Sequence, residues 1–544
     1  MVARSGSMRA RPEPMVARRA RLLWLLFAAI GAASSVLVLL RPAGDRLSDL
    51  HIYYGAAQTV EAGRPLYEYA AANGGPFTYP PFAMLLLRPI AALPEPAVQV
   101  IWLALVCAAV AAIATVLGNA ITTAPRRRPL VVAAVACALL LSAPAQSNLR
   151  FGQVSVFIVL LALADAVGVT PARYRGVLVG VAAAIKLTPL LFVVFFLVSR
   201  RYRDAARAAA AFVGCAALAA LVFPADSWTY WTGTVLETSR IGNLASLGNQ
   251  SVHGMLMRVG VAPDTLPIVW AALVALVCGV ALLRARQIQL ADEPARAAVL
   301  VGCATLVASP VSWTHHQVWT VLAAMLMIAT HGLPRRVAGV LLLVAMTLSL
   351  GALLSDVSTF PGLQFLLENA RAFGAVGVCL AGLGGAAAVT VGSVRRAGSG
   401  RAGTGRGWLR AATALTATLA CFAVLPLPAG ADPTFKAYTL ADAGNPRYFF
   451  FCRPREGCAA PAAAVHFGVV REKTKVRVNG VVDAGVARLE YQSAPGGAPR
   501  VIPLLDLHPG GREFSFRSAN LAHGRLVAYG PDGQVLAAYT ELTP

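Results

Sequence analysis

The sequence predicts an all-α polytopic membrane protein, with about 11–13 transmembrane helices and a small C-terminal extracytoplasmic β-sandwich-like domain. Of the 544 residues, 57% are hydrophobic and only 13% are charged, whereas about 25% of residues are charged in an ordinary soluble protein. A soluble chain of this composition could not cover its surface with polar groups. Soluble and disordered classes of protein are therefore excluded, and a lipid bilayer is the expected surrounding.

The distribution of positive charge indicates how the chain is oriented. The formal net charge is +22, from 47 Lys and Arg against 25 Asp and Glu. The basic residues fall mainly in short loops between apolar segments, which is typical of cytoplasmic loops and argues against nucleic acid as a partner.

The first element is a basic cytoplasmic N-terminus, residues 1–21, followed by an apolar run from Leu22 to Leu40. The run is long for a signal peptide, and Leu39-Leu40-Arg41-Pro42 lacks a small-residue cleavage pattern. We predict an uncleaved first transmembrane helix that begins a transmembrane catalytic domain, residues 22–428.

The following elements are apolar segments that alternate between basic and acidic connections. They span about 96–118, 130–145, 153–168, 175–198, 207–223, 264–284, 296–310, 317–330, 336–354, 370–391 and 408–428. Because segment 175–198 has arginines on both sides, we expect its break at Lys186-Leu187-Thr188-Pro189 to form a hairpin that dips into the membrane from the cytoplasmic side. The count is eleven spans plus this hairpin, or thirteen if each half crosses. Either count places the C-terminus outside.

The last element is an extracytoplasmic β-rich domain, residues 429–544. It carries 13 Lys or Arg and 10 Asp or Glu, and it has no apolar run of transmembrane length. Alternating segments predict strands at 475–482, 486–491, 500–507, 513–517 and 525–529, and Pro531-Asp532-Gly533 predicts a β-hairpin turn before a strand at 534–539. Cys452 and Cys458 are expected to form a disulfide outside the cell, since a metal site would need more ligands than two thiols.

Polar and aromatic residues crowd the loops that are predicted to lie outside. Tyr and Trp stack on sugar rings, Asn and Gln bridge hydroxyl groups, basic side chains bind phosphate, and a carboxylate can accept a hydroxyl proton. Helix bundling would bring these loops into one cavity at the outer leaflet. The candidates are Asp49, Tyr53, Tyr79, Arg150, Gln153, Asn249, Gln250, His315 and His316, together with Lys186 from the hairpin.

Seven short motifs occur in order over residues 20–400. They are Asp49 with Tyr53, then Gly63-x-x-x-Tyr67, Tyr79-Pro80-Pro81, Gly152-Gln153, Lys186-Leu187-Thr188-Pro189, Asn249-Gln250-Ser251, and Ser309-Pro310-x-x-Trp313-x-His315-His316. In this set the chain resembles glycosyltransferase family 87, the actinobacterial mannosyltransferases of the GT-C superfamily that use polyprenyl-phosphate mannose. The domain after residue 429 is not part of that pattern.

The resemblance implies an inverting glycosyltransferase that acts on the outer face of the plasma membrane. A polyprenyl-phosphate sugar would be the donor, with mannose the expected sugar, and a cell-envelope glycolipid or glycan the acceptor. Asp49 would be the general base, while His315, His316 and Arg150 would stabilise the phosphate leaving group. Tyr53, Tyr79, Gln153, Lys186, Asn249 and Gln250 would bind substrate. No cofactor or metal is implied, because phosphate leaves readily and the motifs contain no Asp-x-Asp.

Other interpretations of the same residues remain open. Asp49 is also a favourable helix cap, the tyrosines suit an interfacial aromatic belt, and Lys186 could be an ion-pair partner. The donor could be polyprenyl-phosphate arabinose or another lipid-linked sugar. A transporter or flippase for a lipid-linked saccharide is the alternative class, although such proteins usually show internal repeats and ionisable groups at the bilayer centre.

Overall fold

A computed structural model describes residues 14–42, 46–71, 75–236, 241, 244–262, 264–348, 350 and 361–384, and further along the chain residues 465–471, 476–483, 485–493, 497–502, 504–508, 511–518 and 524–540. The described residues divide into two compact units, one helical and one built of strands. The expected all-α region and small β domain are thus confirmed. The predicted boundary at residues 428 and 429 lies outside the described residues and stays a prediction.

Within the described residues, the helical unit follows the apolar segments of the sequence; the predicted segment 408–428 and the end of segment 370–391 lie outside them. Its helices are α1 Pro14–Leu39, α2 Ser48–Glu61, α3 Pro81–Leu87, α4 Glu95–Ile121, α5 Arg128–Leu141, α6 Ala143–Phe151, α7 Ser155–Ala166, α8 Val177–Ile185, α9 Leu190–Val198, α10 Tyr202–Val222, α11 Pro224–Thr232, α12 Val252–Arg258, α13 Leu266–Leu290, α14 Pro294–Ala308, α15 Val318–Ile328, α16 Leu333–Thr347, α17 Pro361–Glu368 and α18 Ala370–Ala381. Short 3-10 turns cover Leu66–Glu68, Arg88–Ala92, Thr234–Leu236 and Thr314–His316.

Several of these helices suit a membrane. Among the described residues, four helices are long and apolar enough to cross a bilayer: Met15–Leu39 of α1, α4, α10 and α13. The pair α5 and α6 passes the same criterion together but is bent by 62°. Shorter apolar helices include α7, α14, α15 and α18. The chain is therefore a multi-pass membrane protein, while the predicted number of spans and the sides of its termini remain predictions.

Segment 175–198 forms a helical hairpin of α8 and α9, while its predicted entry into the membrane from the cytoplasmic side remains a prediction. Gly176, before α8, lies against the carbonyl of Asp204 at the start of α10, and Gly180 lies against the carbonyl of Ala208 one turn further. Helices α8 and α10 thus run side by side in the same direction. Helix α9, which lies between them in the sequence, must therefore run in the opposite direction, back to the end at which both begin. Arg201 Nη1 closes the base of the hairpin by donating to the Ala166 carbonyl over 3.0 Å. The tip of the hairpin carries Lys186.

Two helices form the centre of the helical unit. Helices α14 and α15 are buried on nearly all sides, as expected for helices that are apolar all round. The connection between them is the loop Ser309–Gln317. Because both flanking helices are packed in the core, the ends of this loop have fixed positions.

The β unit contains two antiparallel sheets of four strands each. The strands are β1 Val465–Arg471, β2 Val476–Asp483, β3 Arg488–Gln492, β4 Arg500–Ile502, β5 Leu505–His508, β6 Gly511–Ser518, β7 Arg525–Tyr529 and β8 Val535–Thr540, in the orders β1-β2-β6-β5 and β4-β3-β7-β8. Both sheets contribute to one core, for example through Val478 and Phe514 from one and Leu489 and Leu526 from the other.

The β sandwich confirms most of the predicted strands. The predicted turn joins β7 to β8, with Gly533 at a φ of 74°. The single predicted strand 500–507 is instead two short strands in different sheets, and β1 had not been predicted.

Candidate active site

The first turn of α2 presents a carboxylate to three other segments of the chain. Leu47 precedes the helix in a left-handed conformation, with φ 43° and ψ 51°, and Asp49 follows in the first turn. Gly152, at the end of α6, has a φ of 68°, and a Cβ atom there would lie 2.5 Å from Leu50 Cβ. This close approach, which only glycine permits, brings the next residue, Gln153, to Asp49.

A chain of hydrogen bonds ends on the Asp49 carboxylate. Tyr53 Oη donates to Tyr79 Oη over 3.1 Å, and Tyr79 Oη donates to Gln153 Oε1 over 3.0 Å. Gln153 Nε2 in turn donates to Asp49 Oδ2. Tyr53, Tyr79 and Gln153 are buried, so this chain holds one carboxylate oxygen in a fixed direction and leaves the other oxygen to accept a proton.

A basic group faces the carboxylate from the hairpin tip. Lys186 Nζ lies 2.6 Å from His316 Nε2 and 5.3 Å from the centroid of the Tyr79 ring. Loss of hydration raises the pKa of Asp49 to about 6, against the opposing effects of the Gln153 hydrogen bond and the charge of Lys186. Asp49, Lys186 and His316 remain partly exposed, so an acid, a cation and an imidazole meet at one partly open site, which is called the pocket below.

The two histidines stand edge to face, with ring centroids 4.3 Å apart. Burial and the neighbouring Lys186 hold the pKa of both imidazoles well below the usual value, so both rings are neutral. The Trp313 amide donates to His316 Nδ1 over 3.1 Å, and Lys186 Nζ lies 2.6 Å from Nε2 of the same ring, so a donor group faces each ring nitrogen. Buried His315 Nε2 has no hydrogen-bond partner within the described residues.

The other predicted residues lie next to this cluster or support it. Arg150, in the last turn of α6, packs on the Phe151 ring, which meets the edge of His315 at 6.2 Å. Asn249 and Gln250 are buried, and their side-chain amides bond to backbone groups of neighbouring segments. Cys452 and Cys458 lie outside the described residues. Within the part that is described, no three His, Cys, Asp or Glu side chains are grouped to hold a metal ion.

The sequence did not single out several residues that shape the site. Asn148 Nδ2 donates to the His315 carbonyl over 2.9 Å, and His51 Nδ1 lies 2.7 Å from Glu95 Oε1, joining α2 to α4. Arg258 bonds to the segment that contains Asn249. The polar stretch that contains Arg150 and Gln153 is a signal that could have identified Asn148, whereas nothing local in the sequence distinguishes Arg258.

Comparison with known proteins indicates the family of the chain. The model of glycosyltransferase family 87 matches residues 77–310. A polyprenol-phosphate-mannose-dependent alpha-(1-2)-phosphatidylinositol mannoside mannosyltransferase of Mycobacterium tuberculosis is 36% identical over 310 residues, covering 53% of this chain and 71% of the relative. A polyprenol-phosphate-mannose-dependent alpha-(1-2)-phosphatidylinositol pentamannoside mannosyltransferase of Mycolicibacterium smegmatis is 35% identical over 329 residues, covering 59% and 78%.

No solved structure matches the chain. The match to the family model, together with the identity to these relatives and the share of their length that it covers, decides the family. The chain belongs to glycosyltransferase family 87 and is a membrane glycosyltransferase.

Proposed function

We propose that the protein transfers mannose from polyprenyl-phosphate mannose to a phosphatidylinositol mannoside, or to a related envelope glycolipid or glycan. The printed names of the relatives support this donor and this acceptor. The observation that carries the proposal is the pocket in which the partly exposed Asp49 carboxylate faces Lys186 and His316. Such a pocket supplies a base for the acceptor and a cationic group for the lipid phosphate.

Asp49 acts as the general base in the proposed reaction. An acceptor hydroxyl gives its proton to the free Asp49 oxygen while its own oxygen forms a bond to the anomeric carbon of the donor sugar. The bond between that carbon and the phosphate oxygen breaks, and its electron pair leaves with polyprenyl phosphate. Attack opposite to the leaving group inverts the anomeric centre. The bond from Gln153 keeps the carboxylate aimed during the transfer.

The leaving phosphate is the proposed ligand of the basic side of the pocket. Lys186 supplies the positive charge, and a ring N–H of each of His315 and His316 supplies a hydrogen bond to the developing charge. Arg150, next to Phe151 and His315, adds a second cation at this side. Because the histidines are neutral, the positive charge that the phosphate meets comes from Lys186 and Arg150.

The sugar and acceptor lie, in this proposal, between Asp49 and the aromatic residues of the cluster. Tyr53 and Tyr79 pack beneath the carboxylate, and the Gln153 amide donates a hydrogen bond to it. Asn249 and Gln250 also remain predicted substrate ligands. Their side-chain N–H groups already donate to backbone carbonyls, however, so these amides hold neighbouring segments of the chain together.

The length of α10 supports an outward-facing pocket. The helix has 21 residues, which at 1.5 Å per residue gives about 30 Å, the thickness of the hydrocarbon core. The arginine-rich loops lie at its beginning, whereas the contacts of Gly176 and Gly180 with α10 place the hairpin tip with Lys186 beside its second half, where Ala184 belongs to one cluster with Phe82 and Ala219. With the arginines in the cytoplasm, the pocket opens at the outer leaflet.

The test is a transfer assay with purified protein in lipid. It uses radiolabelled polyprenyl-phosphate mannose and a total lipid extract from an actinobacterium, with Asp49→Asn beside the native protein. We expect label in a glycolipid with the native protein only, and the product identifies the acceptor. Intact donor in every sample would contradict mannose transfer, and polyprenyl-phosphate arabinose would then be the next donor. Label that crosses vesicles unchanged would instead indicate transport.

A further inference from the structure

A second positively charged region lies at the other end of the α8–α9 hairpin from Lys186. The connection from α7 to α8, residues 167–176, meets residues 199–207 at the beginning of α10, where Arg207 Nη1 donates to the Ala172 carbonyl over 3.0 Å. These two stretches together are called the hairpin base below. The hairpin base contains six arginines and one aspartate, which gives it a formal charge of +5.

The carboxylates at the hairpin base are already bound. Asp204 accepts hydrogen bonds from Arg201 Nε over 2.8 Å and from Arg207 Nη1 over 3.2 Å. Asp165, just before the base, accepts two backbone amides at the start of α8. The other four arginines of the base therefore have no carboxylate partner within the described residues. They are Arg173, Arg175, Arg200 and Arg203.

Arg175 is the most enclosed of these four arginines. Its guanidinium lies against Gly168, where an added Cβ atom would be 3.1 Å from Nη2. The buried Nε of Arg175 has no hydrogen-bond partner in the described part of the chain, and neither have the buried hydroxyl oxygens of Thr170 and Ser199. A buried polar group without a partner costs free energy. Three such groups in the hairpin base therefore indicate a ligand that carries several acceptor oxygens.

Arg200 adopts a backbone conformation that favours glycine. It follows the end of α9 with a φ of 58°. The amide of the next residue, Arg201, donates to the Phe196 carbonyl over 2.8 Å, which is the helix ending that usually has glycine at the position of Arg200. Any other side chain is unfavourable in this conformation. The strained position thus carries an exposed positive charge, and such strain is typical of functional sites.

Exposed apolar and aromatic side chains adjoin the hairpin base. Val194 and Leu197, one turn apart on α9, are exposed, and the base begins two residues after Leu197. Tyr174 and Tyr202, one in each stretch of the base, are also exposed, and Arg173 packs on the Tyr174 ring at 4.8 Å. Exposed apolar residues of a membrane helix face acyl chains, while tyrosines at helix ends lie at the level of the headgroups. We therefore expect the hairpin base at the depth of the phosphates of one leaflet.

We propose that the hairpin base binds the phosphate of an anionic phospholipid, in the inner leaflet under the orientation proposed above. Arg175 and Arg200 supply the positive charge. The hydroxyl groups of Thr170 and Ser199 donate hydrogen bonds, and the acyl chains lie along the exposed face of α9. A zwitterionic lipid fits less well, because both nearby carboxylates are bound and none is left for its ammonium group. The bound lipid holds the beginning of α8, whose other end carries Lys186.

The experiment measures the midpoint of thermal unfolding of the purified protein in a non-ionic detergent. Dioctanoyl-phosphatidylglycerol is titrated in, and dioctanoyl-phosphatidylcholine and inorganic phosphate are titrated in parallel. A ligand that binds only the folded state raises the midpoint with its concentration. We expect a clear rise with phosphatidylglycerol, a rise at least about threefold smaller with phosphatidylcholine, and no rise with inorganic phosphate at the same concentration.

Three variants locate the binding on the chain. Arg175→Gln should raise the apparent Kd for phosphatidylglycerol at least about fivefold, because it removes the enclosed charge. Arg127→Gln is the matched control: it removes one exposed arginine from a different basic loop and should keep the native Kd within about twofold. Arg200→Gly should raise the midpoint without lipid, since glycine suits a φ of 58°, and yet weaken lipid binding.

Several results would overturn the inference. No rise with phosphatidylglycerol, or an equal rise with phosphatidylcholine, would exclude an anionic-lipid site, and an equal rise with inorganic phosphate would assign the hairpin base to a free anion. A native Kd in Arg175→Gln, or an equal loss of affinity in Arg127→Gln, would place the binding elsewhere. So would a stabilised Arg200→Gly that binds lipid with the native Kd. Because sugar transfer is not the readout, failure of the proposed function leaves this result valid.

Discussion

At Asp49 two requirements on one carboxylate oppose each other. The group must be ionised to accept a proton, yet the loss of hydration in the pocket raises its pKa to about 6. We therefore expect kcat/KM to rise with pH through about 6 and to level off above it, because only the ionised form is a base. Initial rates of transfer between about pH 5 and pH 8 test this. A profile without this acidic limb would contradict Asp49 as the base.

The same raised pKa has an effect on stability of known sign. An unfolded chain ionises this carboxyl near 3.8, so between about 4 and about 6 the folded protein binds more protons than the unfolded one. Raising the pH through this window removes stability, and the cost is complete above about 6. An asparagine side chain at this position can accept the hydrogen bond from Gln153 Nε2 through its amide oxygen, and it carries no charge.

Asp49→Asn should therefore lose turnover but unfold at the same or a higher temperature than the native protein at pH 8. The measurement is the midpoint of thermal unfolding in detergent, with Asp49→Glu as the control that keeps the charge. A midpoint several degrees lower for Asp49→Asn would show that the carboxylate has a structural role instead.

A substitution at Gly152 tests whether its close contact with α2 is needed to hold Gln153 against Asp49. Gly152→Ala places a Cβ atom 2.5 Å from Leu50 Cβ at a φ of 68°, so the loop must move away from α2 and the Gln153–Asp49 bond must lengthen. We expect a loss of at least tenfold in kcat. Gly260→Ala is the matched control, because its φ is 82° but nothing lies within 4 Å of the added atom. Equal losses in both variants would attribute the effect to backbone strain alone.

Among the elements, the α8–α9 hairpin brings Lys186 to the site, and its base is closely packed. The buried Asp165 carboxylate accepts the amides of Gly176 and Val179 at the start of α8, at 2.9 Å and 3.0 Å. It thereby accepts two N–H groups at the beginning of this nine-residue helix that have no acceptor within the helix. A short helix with a fixed beginning places the residue after its end, Lys186, in a defined position.

Gly180→Ala should displace this hairpin. The added Cβ atom would lie 2.3 Å from the Ala208 carbonyl oxygen, and a backbone atom cannot turn aside as a flexible side chain can. We expect a lower unfolding midpoint and a transfer rate reduced at least tenfold. Gly214→Ala in α10, where nothing lies within 4 Å, should instead stabilise the helix by about 0.5–1 kcal/mol. Native activity in Gly180→Ala would disprove the tight contact between α8 and α10.

The helices also show how much of the fold can be predicted from the pattern of apolar residues and the charge of the loops. Apolar segments and arginine clusters located the long helices and the hairpin, because burial in lipid and loop charge are recorded in consecutive residues. The residues Asn148–Arg150, expected in a loop, lie in α6, since a short helix with polar residues has no apolar run to indicate it. The contacts of Asn249 with Pro310 and Ser312 join segments about 60 residues apart, and no local pattern encodes such a pairing.

On the scale of the helical unit, the pocket and the arginine-rich loops lie toward different ends of α10. Asp226 of α11 accepts the Leu66 amide over 2.8 Å, and Tyr230 stacks on Tyr67, whose Oη donates to the Tyr79 carbonyl. Helix α11 and the turn after it are therefore at the pocket end. Val169, between α7 and α8, is at the arginine end.

Single cysteines at these two ends test the orientation of the protein. Leu236 and Val169 are 78% and 64% exposed, so Leu236→Cys and Val169→Cys should both be reactive. In spheroplasts, a membrane-impermeant maleimide should label only Leu236→Cys, and after permeabilisation it should label both, with the unsubstituted chain giving the background. Labelling of Val169→Cys in intact spheroplasts would place the arginines outside. The pocket would then open to the cytoplasm, where its proposed acceptor could not be an outer-leaflet glycolipid.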